Sequence, residues 1–342
     1  MTAASPVPPS DPAPPVSDAG PTVAELTEDD LLALIFPLLP VGSATLLGPG
    51  DDAAVVAAPD GRVVVSTDVL VEGRHFRRDW STGVDVGWRA AMQNLADIAA
   101  MGARATSLVV TLVIPGDLPA AWVAGLAAGL AAACGPQDVG VVGGDLSGGD
   151  AVVVSVAVHG DLAGRAPVLR SGARAGDVVA HAGVRGRSAA GLALLAAGRG
   201  EVAPDLVRAY LRPDPPLAAG VMAALAGATA MLDVSDGLLR DAGRIAAASG
   251  VVLDFDPVAD AFGADLTELA GAAAALDASA ADWVLTGGED HGLLATFPAG
   301  AAVPDPFRAV GRVLAAGPTG PGVLVGGLAP TTTSPGWDHF RG

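Results

Sequence analysis

Residues 84–114, VDVGWRAAMQNLADIAAMGARATSLVVTLVI, carry the two periodicities that decide the fold class. Over Val84–Met101 the apolar residues recur at helical spacing, and Gly102 closes the helix. Ser107–Ile114 follows as an apolar, β-branched strand. The mixture continues in both directions. Upstream lie a helix over Glu25–Phe36, stopped by Pro37 and Pro40, and a Gly-Pro-Gly-Asp-Asp turn at 48–52. The runs Ala53–Ala58 and Val63–Ser66 around Asp60-Gly61 predict a β-hairpin. Downstream come a helix over Pro119–Cys134 and strands Val139–Val142 and Ala151–Val158. In the second half, strands at Asp177–Ala182, up to Leu232, Val251–Phe255 and Leu293–Phe297 alternate with helices. Those helices are Ser188–Ala197, Asp205–Leu211, Pro216–Ala226, Gly237–Ser249 and the Ala-rich Ala259–Ala281, before a Gly/Pro-rich tail. Such interleaving predicts a mixed α/β protein. A Gly-, Arg- and Pro-rich stretch at 160–176 separates domains at 22–160 and 161–342. Met1–Pro21 holds seven of the 27 prolines and is expected to be a disordered leader.

Of the 342 residues 51% are apolar and 16% charged, so a core is easily supplied. Thirty-seven acids face 19 cations, a formal charge of -18 that repels nucleic acid and anionic lipid. Every cation is Arg; there is no Lys. That excludes Schiff-base chemistry, the Walker-A lysine and the protein-kinase strand lysine. Phosphate must be handled by metal ions, Arg or backbone N–H groups. The lone Cys134 makes no internal disulfide and is expected in the core. Ala120–Cys134 and Leu217–Leu232 fall short of the ~20 strongly apolar residues of a membrane span. With no signal-peptide pattern, the chain is expected to be soluble and cytoplasmic.

Asp recurs at turns and strand ends beside Gly, Ser and Thr. The motifs are Gly50-Asp51-Asp52, Ser66-Thr67-Asp68, Asn94-Leu95-Ala96-Asp97, Gly143-Gly144-Asp145, Asp233-Val234-Ser235-Asp236-Gly237 and Gly287-Gly288-Glu289-Asp290. Singly, each reads as a turn or a helix cap, Asp236 ahead of its helix being a good example. Six together point to a hard cation, because clustered carboxylates repel unless Mg²⁺ sits among them. The adjacent glycines admit phosphate to backbone N–H groups. Mg²⁺–nucleotide is the ligand this chemistry suggests.

GPGDDAAVV at 48–56, STDVLVEGRHF at 66–76, NLADIAAMGA at 94–103, GGD at 143–145, DVSDGLLRD at 233–241, LTGGED at 285–290 and WDHF at 337–340 resemble thiamine-monophosphate kinase, in that family's order. The resemblance runs from about Leu26 to the end. It implies the two-domain aminoimidazole-ribotide synthetase-like fold, with N-terminal sheets of two subunits pairing into a barrel-like homodimer core. It also implies ATP-dependent phosphorylation of thiamine monophosphate to thiamine diphosphate with several Mg²⁺ ions. Carried over by motif, Asp52, Thr67, Asp68, Asp97, Asp145 and Asp233 ligate Mg²⁺, Ser66 helps through an oxygen, and Asp236 binds a further ion or orients a water. Gly144 and Ser235 touch ATP phosphates and Arg170 contacts ATP directly. His75, Glu289 and Trp337 hold the thiamine substrate. Where the family usually has Tyr-Glu after this Glu-Asp pair, the chain has His291-Gly292.

The expected chemistry assigns no covalent or proton-transferring residue, because the acceptor phosphate is already anionic. Other superfamily synthetases, a silent Mg²⁺–nucleotide sensor and an acidic scaffold are the alternatives. Mid-helix Cys134 suits neither the selenophosphate nor the hydrogenase-maturation chemistry, and STDVLVEGRHF with WDHF favours the thiamine enzyme over the ribotide synthetase.

Overall fold

The computed structural model describes residues 20–50, 53–332 and 335–337. In the first half they form β1 (Thr45–Leu47), β2 (Val55–Val56), β3 (Val64–Val71), β4 (Arg104–Ile114), β5 (Gly140–Gly148) and β6 (Val153–Asp161). Helices α1 (Glu28–Ile35), α2 (Gly83–Ala100) and α3 (Ala120–Cys134) are interspersed among them. The second half contains β7 (Val178–Ala182), β8 (Ala230–Val234), β9 (Val251–Phe255), β10 (Gly292–Phe297), β11 (Arg308–Ala315) and β12 (Gly322–Val325). Its helices are α4 (Arg187–Ala196), α5 (Pro204–Leu211), α6 (Leu217–Leu225), α7 (Leu238–Ser249), α8 (Val258–Ala261), α9 (Gly263–Leu276) and α10 (Ala280–Thr286). Four strands in the order β3-β6-β4-β5 make the first sheet, and six in the order β12-β9-β11-β7-β10-β8 the second. The mixed α/β class is borne out, as is Cys134 in the core, its thiol pushed by burial up to about 12. Among the described residues no helix is long and apolar enough to cross a membrane.

Three local expectations are corrected. The hairpin across Asp60-Gly61 does not form: Val55-Val56 pair with β1, while β3 pairs antiparallel with β6. The turn is local, but the partners are chosen by the buried face. Gly143-Gly144-Asp145 is not a turn, since β5 runs straight through it. The Gly/Pro-rich tail supplies β11 and β12, and β11 lies inside the second sheet between β9 and β7.

The inner face of the first sheet is covered by α2 and α3, which approach closely through glycine. A Cβ on Gly87 would stand 2.0 Å from the Leu126 carbonyl oxygen, and one on Gly129 2.2 Å from that of Val84. Helix α2 also belongs to both halves: Val86, Leu95 and Ile98 pack in the first core, Ala99 and Ala100 against Ala219, Ala223 and Met231. The outer face of the sheet is only partly covered, by the β1–β2 segment, and Val65 (62% exposed) and Val69 (44%) stand exposed on it.

Gly87→Ala therefore forces α2 and α3 apart and should cost about 1–3 kcal/mol. Gly243→Ala, in the interior of α7 with open space where the methyl would go, should be neutral or stabilising by about 0.5–1 kcal/mol. Thermal melts of both variants check the contrast.

Candidate functional site

Carboxylates from three elements meet where the two halves join. On β3 alternate side chains face α2, so Ser66 and Asp68 lie on the inner side, where the Ser66 hydroxyl donates to Asp97 Oδ2 at 2.7 Å. Asp97 comes from the last turns of α2 and Asp233 from β8. Burial first, and then the neighbouring Asp97, push the Asp68 carboxyl up to about 7. Asp97 is raised to about 6 by burial and by Asp233, against the pull of Ser66, His291 and Arg170. These are acids crowded without enough positive charge between them. Among the described residues no three His, Cys, Asp or Glu close to chelating distance. Their donor atoms are nonetheless all oxygen, and their mutual repulsion is the electrostatic counterpart of a divalent cation.

A second group adjoins the first. The loop 287–291 places Glu289 and His291 with positive φ (68° and 52°), held by the buried Asp290 between them. The Asp290 carboxylate accepts from the Gly186 amide at 2.5 Å and the Ser188 amide at 2.7 Å. The His291 Nδ1 lies 3.2 Å from Asp233 Oδ2, and its Nε2 is 4.0 Å from Glu289 Oε2. Burial opposes the charged imidazole, yet Asp233 and Glu289 outweigh it and raise His291 to about 8. Burial also opposes the Glu289 carboxylate, but Arg89 and His291 hold it below the usual range. His75 Nδ1 accepts from the Val71 amide at 3.0 Å, which leaves the proton of the neutral ring on Nε2. Trp337, half exposed, donates its amide to the Asp236 carbonyl at 2.8 Å. The Glu289 amide in turn donates to the Ser235 carbonyl at 2.8 Å, so Trp337, Ser235, Asp236 and Glu289 share one wall.

Other expected residues stand apart or differ in role. Thr67 lies on the outer face, and its hydroxyl donates to the Val156 carbonyl at 2.8 Å. Asp145 is on that face too, on the far edge strand: Asp68 aligns with Val156, Val110 and Gly144 across the sheet. Three strand spacings, roughly 14 Å, separate it from Asp68. Gly144 lines a cavity of about 560 Å³ between the β1–β2 segment and the outer face, together with Phe36, Gly50, Thr106 and His159. Asp236 is not a helix cap; Gly237 holds that position, and Asp236 pairs with Arg244 at 2.6 Å. Arg170 is exposed, and its charge reaches Asp97. Asp52 lies outside the described residues. Sequence reading missed Arg89 and Tyr210, and left His291 as a departure without a role. Helical spacing alone signals that Arg89 is two turns from Asp97 on α2.

Residues 50–162 match the family described as AIR synthase related protein, N-terminal domain. The thiamine-monophosphate kinase of Mycobacterium tuberculosis is 50% identical over 299 residues, 87% of each chain. The chain belongs to the thiamine-monophosphate kinase family. The Corynebacterium glutamicum thiamine-monophosphate kinase is 42% identical over 306 residues, 86% of this chain and 88% of that one. Among solved structures, AaThiL complexed with AMPPCP and TMP superposes with a TM-score of 0.75 at 33% identity, over 85% of this chain and 91% of that one. The aminoimidazole-ribotide synthetase-like fold expected from the motifs is thereby borne out.

In this thiamine-monophosphate kinase family member the acids impose a pH dependence. Asp68 and Asp97 bind protons more tightly folded than unfolded, so they favour the folded state at low pH and lose that contribution as pH rises from about 4 through 6 to 7. Without divalent cations the melting temperature should fall across that window. Asp97→Asn should flatten the fall and raise Tm at pH 8 by about 2–4 °C, the shift that ~1 kcal/mol produces in a domain of 150–250 residues. Turnover should drop at least about tenfold in the same variant. Melts in chelator and a turnover assay with Mg²⁺ check both.

Proposed function

We infer that the chain transfers the γ-phosphoryl group of ATP to thiamine monophosphate, forming thiamine diphosphate and ADP. One observation carries the reading: the crowded acids Asp68, Asp97 and Asp233 adjoin the wall formed by Glu289, His291 and Trp337, in a chain half identical to a thiamine-monophosphate kinase. The structure of AaThiL complexed with AMPPCP and TMP supports it, because that protein shares the fold.

The nucleophile is an oxygen of the acceptor phosphate, anionic at neutral pH, so no side chain has to remove a proton. What the reaction needs is two polyanions held in line. Asp68, Asp97 and Asp233 would hold Mg²⁺, with Ser66 and Asp52 contributing oxygens. Bound there, Mg²⁺ supplies charge neutralisation between donor and acceptor phosphates. Asp236, already paired with Arg244, is left the role of orienting a water. Ser235 and Arg170 face the nucleotide, while His75, Glu289 and Trp337 receive the thiamine part, where an aromatic face suits a fixed cation.

A homodimer extends the reading. The uncovered part of the outer face, with Val65 and Val69, is an apolar surface that a second copy would cover, and Thr67, Gly144 and Asp145 lie at that face or beside its cavity. Residues 22–160 are then the metal-binding and dimerisation domain and 161–342 the domain that completes the substrate site. A cytoplasmic setting fits a chain that acts on free nucleotide and a phosphorylated vitamin.

Purified protein with ATP, Mg²⁺ and thiamine monophosphate should yield thiamine diphosphate and ADP in equal amounts, and excess chelator should abolish both. Failure to form thiamine diphosphate overturns the assignment. Trp337→Ala should raise the KM for thiamine monophosphate ~5- to 150-fold, the loss of roughly 1–3 kcal/mol of aromatic contact. The KM for ATP and the melting temperature should hardly move, because the half-exposed ring contributes little to the core. Steady-state kinetics and a melt on one sample check this.

A further inference from the structure

Arg89 lies on α2 but makes its contacts with the other half of the molecule. Its side chain is 3% exposed, and one terminal nitrogen, Nη2, donates to Glu289 Oε2 at 2.5 Å. The guanidinium centre stands 4.4 Å over the ring of Tyr210, a residue of α5. The Tyr210 hydroxyl in turn donates to the His75 carbonyl at 3.3 Å. A single buried cation thus touches Glu289 directly and His75 through one aromatic ring. In the proposed function both residues receive the thiamine part.

This arrangement changes what Glu289 can do. With Arg89 paired to it, Glu289 is not an unopposed counter-charge for a fixed cation. Both Arg89 and His291 approach the same oxygen, Oε2. Oε1 is the atom left for the acceptor. The backbone of Glu289 is in the left-handed region at φ 68°, a conformation that a glutamate does not hold by preference. Its direction is therefore imposed by the Ser235 carbonyl on its amide and by Arg89 on its carboxylate. Only a planar fork can pair with a carboxylate at one edge while stacking on a ring with its face.

We propose that Arg89 is a positioning residue for the acceptor substrate, aiming Glu289 through Oε2 and steadying His75 through Tyr210. The proposal rests on the reading that His75 and Glu289 face thiamine monophosphate.

The test is a set of steady-state measurements on Arg89→Met, Arg89→Lys, Tyr210→Phe, Glu289→Gln and the double variant Arg89→Met/Glu289→Gln, each with a melting curve. Arg89→Met should raise the KM for thiamine monophosphate at least about tenfold and leave that for ATP within about twofold. Arg89→Lys should recover part of the loss, because the charge returns without the fork or the stacking. In the Glu289→Gln background, Arg89→Met should add less than about twofold, since most of its effect passes through that carboxylate. Tyr210→Phe, which keeps the ring under Arg89, should raise the same KM about two- to fivefold. Should Arg89→Met not fold, Arg89→Lys and Tyr210→Phe still read the split between the two substrates. An unchanged KM for thiamine monophosphate, an equal rise in both KM values, or independent multiplication of the two effects overturns the positioning role. Wild-type protein that makes no thiamine diphosphate overturns the proposed function itself, and that outcome is seen before any variant is measured.

Discussion

The repulsion among Asp68, Asp97 and Asp233 is the constraint on which the rest of the molecule turns. Three acids from a strand of the first sheet, a helix and a strand of the second are held partly out of water, close enough to raise two of their proton affinities. Left alone, they would push the halves apart. Covalent continuity does not oppose this; packing along α2 does. That helix is sealed to α3 at one end of its contact surface and to α6 at the other, where a Cβ on Gly220 would come within 2.0 Å of the Ala99 carbonyl. Its opening turns add ionic and polar contacts across the same junction: Arg212 to Asp85 at 2.5 Å and Trp88 Nε1 to the Pro213 carbonyl at 2.7 Å. The strut is stiff because it is glycine-tight, and it is stiff where the acids need it.

The second half answers with a loop that is strained and pinned. Glu289 and His291 take left-handed backbone, which costs on the order of 1 kcal/mol or more for each. Asp290 points inward between them and accepts two backbone amides at the start of α4. Arg185, fully buried, donates to the Gly287 carbonyl, so the loop is held from both flanks. Gly292 suits the packing beside it: a Cβ there would meet His181 Nε2 at 2.7 Å and the Ala182 carbonyl oxygen at 2.8 Å. The departure from the family pattern at 291–292 is thus accommodated locally, with His291 turned to Asp233 and Gly292 making room for a buried histidine. The result is a substrate wall of polar groups that reach it from outside the regular elements, anchored by groups that never reach it.

Much of this was legible in the residues. Alternating strand and helix periodicities gave the class, because one buried face imposes its period on the chain wherever the core lies. The absence of lysine narrowed phosphate chemistry to metals, arginine and backbone, and the Gly-Asp motifs placed Asp68, Asp97 and Asp233 as candidate partners before any coordinates. The hairpin at 53–66 and the strands of the tail were not legible. Gly61 does turn the chain, at φ 73°, yet which strand each flank joins depends on surfaces contributed from 45–47 and 153–161. In β11 a register shift at Ala309–Gly311 breaks the simple alternation.

By itself, then, the sequence determined the mixed class, most of the elements up to β10, the acidic character of the site and its family, because these depend on local period and residue type. Only the tertiary structure decided who meets whom. It turned Thr67 and Asp145 to the outer face while Ser66 and Asp68 turned inward, since strand neighbours alternate and only one face packs on α2. It tied Asp236 to Arg244 rather than to a helix amide. And it brought Arg89 to Glu289, 200 positions away, a pairing that no spacing encodes because it exists only once two separately built halves share a helix.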